Sequence, residues 1–381
     1  MLIAISAVAV AMTATSWGVA AARRGTPPAH DPETVTRPLL LSGADAGARR
    51  LAAIRRARVT LPDHPDASLL QRNFTTRIDC RFLPEEPQGT SAKFDCVLAD
   101  GTVIKVKYGR NPEIQAEVAA SRLLTMLGFP ADRVALAPRL RCYGCPRFPF
   151  FTMRVLTLIH AGHLLEPHGH DDGYTDFEWV AVEPHFPSPS IETSAQKGWA
   201  WFELDQSSAP AADVDALRLL AVFLAHWDNK SSNQRLVCLD PLPAVPSPDT
   251  NCSEPMAMIQ DLGSTFGPYK VNLANWQRRP IWADRATCTV SMADMPFAGG
   301  TFIARQISEA GRQRLASRLA SLRHADIRQL FAEASFPEYH SGTADTRDLD
   351  AWTSAFADRV DQIARGTPCP EAGIRIQESG G

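Results

Sequence analysis

The sequence lacks an excess of either charge. Its 39 Lys and Arg stand against 42 Asp and Glu, a net charge of -3. No bulk basic field therefore marks the whole chain for nucleic acid or an anionic surface. It lacks an internal repeat, which removes solenoids and propellers. Beyond the N-terminal stretch, no segment approaches the ~18 apolar residues needed to span a bilayer. A second Cys-x-x-Cys pair is missing too. Only Cys142-Tyr143-Gly144-Cys145 has metal-ligand spacing, so a two-pair zinc site is excluded.

What is present begins with eight spread cysteines. An even, dispersed set reads as a disulfide framework in an oxidising compartment. The expected pairs include Cys80 with Cys96 across a hairpin and Cys238 with Cys252 across an insertion. Met1 to Ala22 carry no charge; an apolar run from Leu2 to Met12 leads to Val19-Ala20-Ala21-Ala22 and then Arg23-Arg24. This reads as a signal peptide or N-terminal anchor at 1–22, although the basic start is missing. The expected location is secreted or periplasmic/extracytoplasmic, with membrane contact only through an uncleaved anchor.

Residues 23–70 read as a linker and an outer helix around Leu51 to Arg58. The basic stripe Arg49, Arg50, Arg55, Arg56 and Arg58 reads as a solvated helix face. Strands are expected at Arg77 to Phe82, Lys93 to Leu98 and Thr102 to Tyr108, with Ala99-Asp100-Gly101 as a hairpin turn. Pro112 to Leu127 has helical periodicity and Gly128 fits its C-cap. Further strands are expected at Phe150 to Leu158, Glu178 to Glu183 and Trp199 to Leu204. Val214 to Trp227 reads as a buried helix. Arg235 to Leu239 and Met256 to Gln260 read as strands around a Pro-rich excursion. Helices are expected at Ser308 to Leu322, Ala325 to Ala334 and Asp348 to Ala364. Strands with one helix, then mostly helices, give an α+β class.

The chemistry concentrates in His226-Trp227-Asp228-Asn229-Lys230-Ser231-Ser232-Asn233 and in Gln260-Asp261-Leu262-Gly263. Asn233 lies five residues after Asp228. That spacing, followed by D-x-G, sets a catalytic aspartate and two metal ligands around ATP. Asp228 is the candidate base or orienter of an acceptor hydroxyl, and Lys230 can neutralise the transferred phosphoryl. Asn233 and Asp261 offer hard oxygens to magnesium or manganese. Upstream, Lys105 and Lys107 share one strand face. Either can hold the inner phosphates, Lys107 the better placed near the strand end, with Glu117 of the next helix as its partner. Gly89 and Lys93, in Gln88-Gly89-Thr90-Ser91-Ala92-Lys93, belong to a turn able to cover the phosphates. That turn is not a G-x-G-x-x-G loop.

Glu117-Val118-Ala119-Ala120-Ser121-Arg122-Leu123-Leu124, with Leu127-Gly128-Phe129, resembles the key helix of the atypical protein-kinase-like superfamily. That group includes HipA-type kinases, phosphatidylinositol 3- and 4-kinases and Golgi casein kinase-like secretory-pathway kinases. Gly89-Thr90-Ser91-Ala92-Lys93-Phe94 is similar to the phosphate-covering turn of HipA-like proteins. The resemblance spans residues 76 to 335. It implies a two-lobed kinase-like fold, with an antiparallel-sheet N-lobe over 71–204, one key helix, and a mainly helical C-lobe over 205–381. It implies ATP with Mg2+ or Mn2+ and a hydroxyl acceptor on a protein, glycan or small molecule. The chain departs from the pattern twice. Asp228 and Asp261 are 33 residues apart, a long interval, and no A-P-E motif follows.

Two alternatives stay open: a pseudokinase binding module, or a kinase-fold enzyme doing adenylylation or glutamylation. The residues His160, His163, His168, His170, Asp171 and Asp172 crowd one segment. They read as a polar loop rather than a metal site, because the helical H-x-x-x-H spacing is absent. Trp179, Trp199 and Trp201 read as core or hinge packing, with adenine contact as the alternative.

Overall fold

A computed structural model describes residues 39–61, 73–87, 89–162, 164, 172–186, 188–240, 251–267, 270–295, 302–336 and 348–370. The signal-like segment, much of the linker, Gln88 and the residues His163, His168, His170 and Asp171 lie outside them. The described chain mixes helices and sheets, as the α+β class requires.

Strand β1 (Leu39–Leu41) pairs in parallel with Ile191–Thr193. Helix α1 (Ala46–Arg56) carries Arg49, Arg50, Arg55 and Arg56 of the basic stripe, Arg58 lies beyond it in a bridge to Met256, and the stripe is not wholly solvated. Arg50 is buried, and its guanidinium donates to both Glu203 oxygens at 2.8 and 3.1 Å and to the Gly198 carbonyl at 2.5 Å. A guanidinium out of water needs a carboxylate in fork geometry, and Glu203 supplies it.

Strands β2 (Ile78–Leu83), β3 (Lys93–Val97) and β4 (Val103–Lys107) form the expected meander. Ile78, Cys80 and Phe82 alternate inward. The β3–β4 turn uses Gly101 at φ 86°, and the Thr102 N–H donates to Asp100 Oδ1 at 2.9 Å. Helix α2 (Glu113–Met126) follows, and Gly128 at φ 75° ends it. It is buried nearly all round, and its buried charged residues Glu117 and Arg122 each meet a counter-charge.

The chain continues through β5 (Ala135–Tyr143), α3 (Pro149–Leu158) and β6 (Tyr174–Pro184). Strand β5 is not foreseen in the sequence. It pairs antiparallel with β6 and parallel with β2, closing a barrel in the order β2-β3-β4-β6-β5. The upper sheet is therefore a closed five-stranded barrel, not an open antiparallel sheet. Pro138 hides β5, because proline cannot donate to a ladder. It is tolerated at a gap in the ladder: the register runs unshifted from Ala137↔Val180 to Arg139↔Glu178, and Trp179, opposite Pro138, takes φ 50°.

The expected strand at Phe150 to Leu158 is helix α3. Its aromatic and β-branched residues read as strand. Pro149 in the first helical turn and buried Phe150 and Met153, three apart, show a helix resting one face on the barrel. After β7 (Ile191–Thr193), the strand expected at Trp199 to Leu204 is instead a short helix, α4 (Trp201–Leu204). Trp199 and Trp201 are buried edge to face with centroids 5.2 Å apart, so both are core residues.

Helix α5 (Ala211–Leu224) is the buried centre of the lower body. It leads into the hairpin β8 (Gln234–Cys238) and β9 (Pro255–Ile259). Then come α6 (Leu273–Arg278), the hairpin β10 (Thr289–Ser291) and β11 (Ala304–Gln306), and α7 (Glu309–Ala320), α8 (His324–Glu333) and α9 (Leu349–Ala364). Arg359 of α9 is buried and donates to the carbonyls of Val222, Phe223, Trp276 and Arg279, capping the end of α5. One hydrophobic core fills the barrel, and a larger one joins α2, α5 and the C-terminal helices. Arg122 of α2 meets Glu333 of α8 at 2.6 Å, so α2 is anchored below as well as above.

The cysteines pair as Cys80–Cys96, Cys142–Cys145, Cys238–Cys252 and Cys288–Cys369. The two expected pairs are among them. Four disulfides fit an oxidising compartment. Among the described residues, no helix is long and apolar enough to cross a membrane.

Candidate functional site

The buried end of β4 presents Lys107, and α2 presents Glu117 to meet it. The Lys107 ammonium donates to Glu117 Oε1 at 2.7 Å and to Asp261 Oδ1 at 2.8 Å. Both Lys107 and Glu117 are almost fully buried, whereas the Asp261 side chain is 36% exposed. Burial works against the Lys107 charge, but Asp261 and Glu117 outweigh it and hold its pKa well above the ordinary value. Lys107 holds Asp261 well below the carboxylate range. Glu117 fares differently. Burial pushes it up to about 7, against the pull of Lys107, and the nearby Asp261 charge adds to the rise.

The sequence left Lys105 and Lys107 as alternatives for the Glu117 partner. The structure separates them. Lys105 meets Glu183 of β6 at 2.5 Å and does not bond Glu117. Around that pair lie Asp132 and Arg235, whose closest charged atoms are 3.5 Å apart, and Arg235 also donates to Gln260 at 2.8 Å. Burial, with Glu183 beside it, raises Asp132 to about 6. None of Asp132, Glu183, Arg235 or Gln260 carried a motif signal. Only the fold brings them behind the lysines.

Lys93 stands opposite Lys107 across the β3–β4 ladder. Burial lowers its pKa, and the Lys107 and Lys105 charges lower it further. No ion pair to Lys93 occurs among the described residues. Its ammonium reaches toward Gly89, where an added Cβ would lie 3.2 Å from Nζ. Gly89 takes φ 79°, a turn that favours glycine. The turn is tied down twice: Ser91 donates to Glu113 Oε2 at 2.5 Å, and Arg154 donates to the Gly89 carbonyl at 3.0 Å. Glu113, unremarked in the sequence, also abuts Gly263. A Cβ on Gly263 would come within 2.8 Å of Glu113 Cβ, so the D-x-G glycine is needed for close approach.

Below, α5 ends in left-handed Ala225 at φ 54°, and the chain turns into the Asp228 loop. The Trp227 N–H donates to the Ser264 carbonyl at 3.2 Å, and the Phe266 N–H donates to Leu224 at 2.7 Å. These bonds hold the Asp228 and Asp261 loops side by side. Asp261 itself takes φ 55°, rare for a non-glycine residue. Lys230 reaches back to Asp228 Oδ1 at 2.7 Å. Asn233 Nδ2 donates to the Asp228 carbonyl at 2.9 Å. With its nitrogen so used, the ligand atom Asn233 can offer is Oδ1. His226 is buried, and burial pushes its imidazole down to about 4, against the pull of Asp261 and Asp228. It is neutral packing beneath the loop. Gly198 permits the loop's close seat: a Cβ there would lie 2.0 Å from the Ser231 carbonyl oxygen.

The donor set suits a divalent cation beside phosphates. Asp261 and Asn233 offer hard oxygens, and Lys107, bonded to Asp261, and its ladder neighbour Lys93 offer cations. A different trio of metal-ligand residue types, Cys238, Asp240 and Cys252, is closed as a disulfide, with Asp240 accepting from the Ser253 and Glu254 N–H groups.

No family model and no curated protein matches the chain. Among solved structures, a proinflammatory kinase of Helicobacter pylori, CtkA, aligns over 76% of this chain and 98% of its own, at 11% identity and a TM-score of 0.43. A likeness at that level assigns neither fold nor activity. The side chains of the site have to carry both.

Proposed function

We propose that the chain is an exported phosphotransferase of the kinase-like class, moving the γ-phosphoryl of ATP to a hydroxyl acceptor. The observation that carries this reading is the buried Lys107 shared between Glu117 and Asp261, beside a loop that holds Asp228, Lys230 and Asn233. A buried lysine fixed by a helix glutamate is what orienting inner phosphates requires. Bound ATP with Mg2+ or Mn2+ would supply the transferable phosphoryl group and neutralise its charge.

The chain's own residues divide the remaining work. Glu117 positions Lys107, and Lys107 with Lys93 would hold phosphate oxygens. The Gly89 turn, tied by Ser91 and Arg154, would shield them from water. Asp261 and Asn233 would hold the cation. Asp228 would orient the acceptor hydroxyl and take up its proton, while Lys230 neutralises neighbouring charge. The closed barrel is compatible with this role, because β4 still brings Lys107 against Asp261, whose loop is bonded to the Asp228 loop. The four disulfides support export.

Calorimetric titration with ATP tests the reading. Binding that requires Mg2+ or Mn2+, followed by slow ATP hydrolysis, is expected. No binding at millimolar ATP with either metal would overturn it.

A further inference from the structure

Helix α3 carries a surface that phosphoryl transfer does not use. Its inner side, with Phe150 and Met153, is buried, and Met153 joins the barrel core. On its outer side, Phe148, Phe151, Val155, Leu158 and Ile159 are each more than half exposed, and Leu158 reaches 80%. The spacing 148, 151, 155, 158 puts them on one helix face. Among the described residues, no element packs over them. A contiguous apolar face of this kind is an interaction surface rather than ordinary scatter.

Charge decides what it meets. The charged residues of the segment are Arg147 and Arg154, both exposed. Between Asp132 and Glu166 the sequence has five arginines and no acidic residue. The exposed Glu85 and Glu86 lie in the stretch leading into the turn that Arg154 touches, off the helix. A second copy of the chain fits poorly, because a twofold helix contact would set arginine against arginine. The face calls for a partner both apolar and anionic. A phospholipid interface offers acyl chains to the five apolar side chains and phosphates to the two guanidinium groups. Retained as an anchor rather than removed as a signal peptide, the apolar run Leu2 to Met12 would hold the chain beside the same bilayer.

We propose that α3 is an interfacial docking helix for an anionic membrane surface, lying in the plane of the headgroups with Phe151, Val155 and Leu158 inserted. The arrangement places the barrel on the bilayer. Because Arg154 also holds the Gly89 carbonyl, the docked face adjoins the phosphate-covering turn.

Hydrogen exchange on the full chain tests this independently of the N-terminal run. Vesicles containing phosphatidylglycerol should protect the amides of 147–159, and pure phosphatidylcholine vesicles should protect them far less. Phe151→Asp with Leu158→Asp, both exposed and foldable, should abolish that protection and weaken vesicle binding roughly tenfold. Arg147→Glu should weaken it on the anionic vesicles alone. Unprotected α3 amides on bound vesicles would overturn the proposal. So would equal protection on both lipids. Protection that appears without lipid as protein concentration rises would overturn it in favour of self-association.

Discussion

The Lys107 ammonium lies 2.8 Å from Asp261, a residue 154 positions further along the chain. That contact joins barrel strand β4 to the loop that follows β9. It also makes two acids compete for one cation, since Glu117 lies 2.7 Å from the same nitrogen. The partly buried acid, beside Lys107, keeps its charge, and the fully buried one is pushed toward neutrality.

Lys107→Ala is expected to do two things. It removes the phosphate-orienting cation, so ATP affinity falls. It also leaves a buried glutamate without its counter-charge. Breaking a buried pair from one side costs about 3–5 kcal/mol, moderated here by protonation of Glu117. Urea unfolding beside ATP titration checks both. A variant as stable as wild type with unchanged ATP affinity would remove Lys107 from the site. Glu117→Ala should weaken ATP binding more mildly.

Asp261→Asn replaces a charged oxygen ligand with a neutral one. Nucleotide binding should lose most of its dependence on Mg2+ or Mn2+. The measurement is ATP affinity with and without metal. Unchanged metal dependence would rule out Asp261 as a ligand.

The pH dependence of stability follows from Glu117. Its folded pKa of about 7 lies above the ordinary 4.5. Between those values the folded state holds a proton that the unfolded state releases, so the Glu117 contribution is full below 4.5 and lost as pH rises through 7. Glu117→Gln should therefore flatten the fall of stability across that window. Denaturant midpoints measured from pH 4.5 to 7 test it, and parallel curves for the two proteins would contradict it.

The linear motifs of the site were legible because they are local. Asp228, Asn233 and Asp261 stand out by spacing, and Lys107 and Glu117 by the strand and helix that carry them. Glu117 as the partner of Lys107 was legible, but Glu183 beside Lys105 and Asp261 as a second partner of Lys107 were not, because both reach β4 only through tertiary packing. Barrel closure was hidden by Pro138, which interrupts the β5–β6 ladder at one position opposite Trp179 without shifting its register. The α3 error has a related cause. Phe150 to Leu158 is apolar enough for either period, and what decides between them is that one face alone finds a core. Glu113 left no trace, since an acid in a first helical turn is ordinary.

The disulfides carry unequal weight. Cys288–Cys369 closes a loop of 81 residues, whereas Cys142–Cys145 spans 3. By loop entropy, losing the long one should cost about 4 kcal/mol and losing the short one much less. Paired Cys→Ser variants compared by urea unfolding would show it, and equal losses would contradict the loop argument. Mass mapping of non-reduced exported protein should find all four bridges.

In the proposed transfer, Asp228 serves the acceptor and not the nucleotide. Asp228 sits in a loop tied by backbone bonds, with its carboxylate turned to Lys230 rather than into the core. Asp228→Ala should leave folding and ATP affinity nearly unchanged. Turnover should fall by about 10²–10⁴-fold, the usual contribution of a positioned base. The most direct measurement is metal-dependent ATP hydrolysis in Asp228→Ala against wild type, with ATP affinity measured on the same samples. Intact binding with hydrolysis reduced at least a hundredfold is the result predicted. Wild-type hydrolysis that persists at full rate in the variant would rule out this role for Asp228.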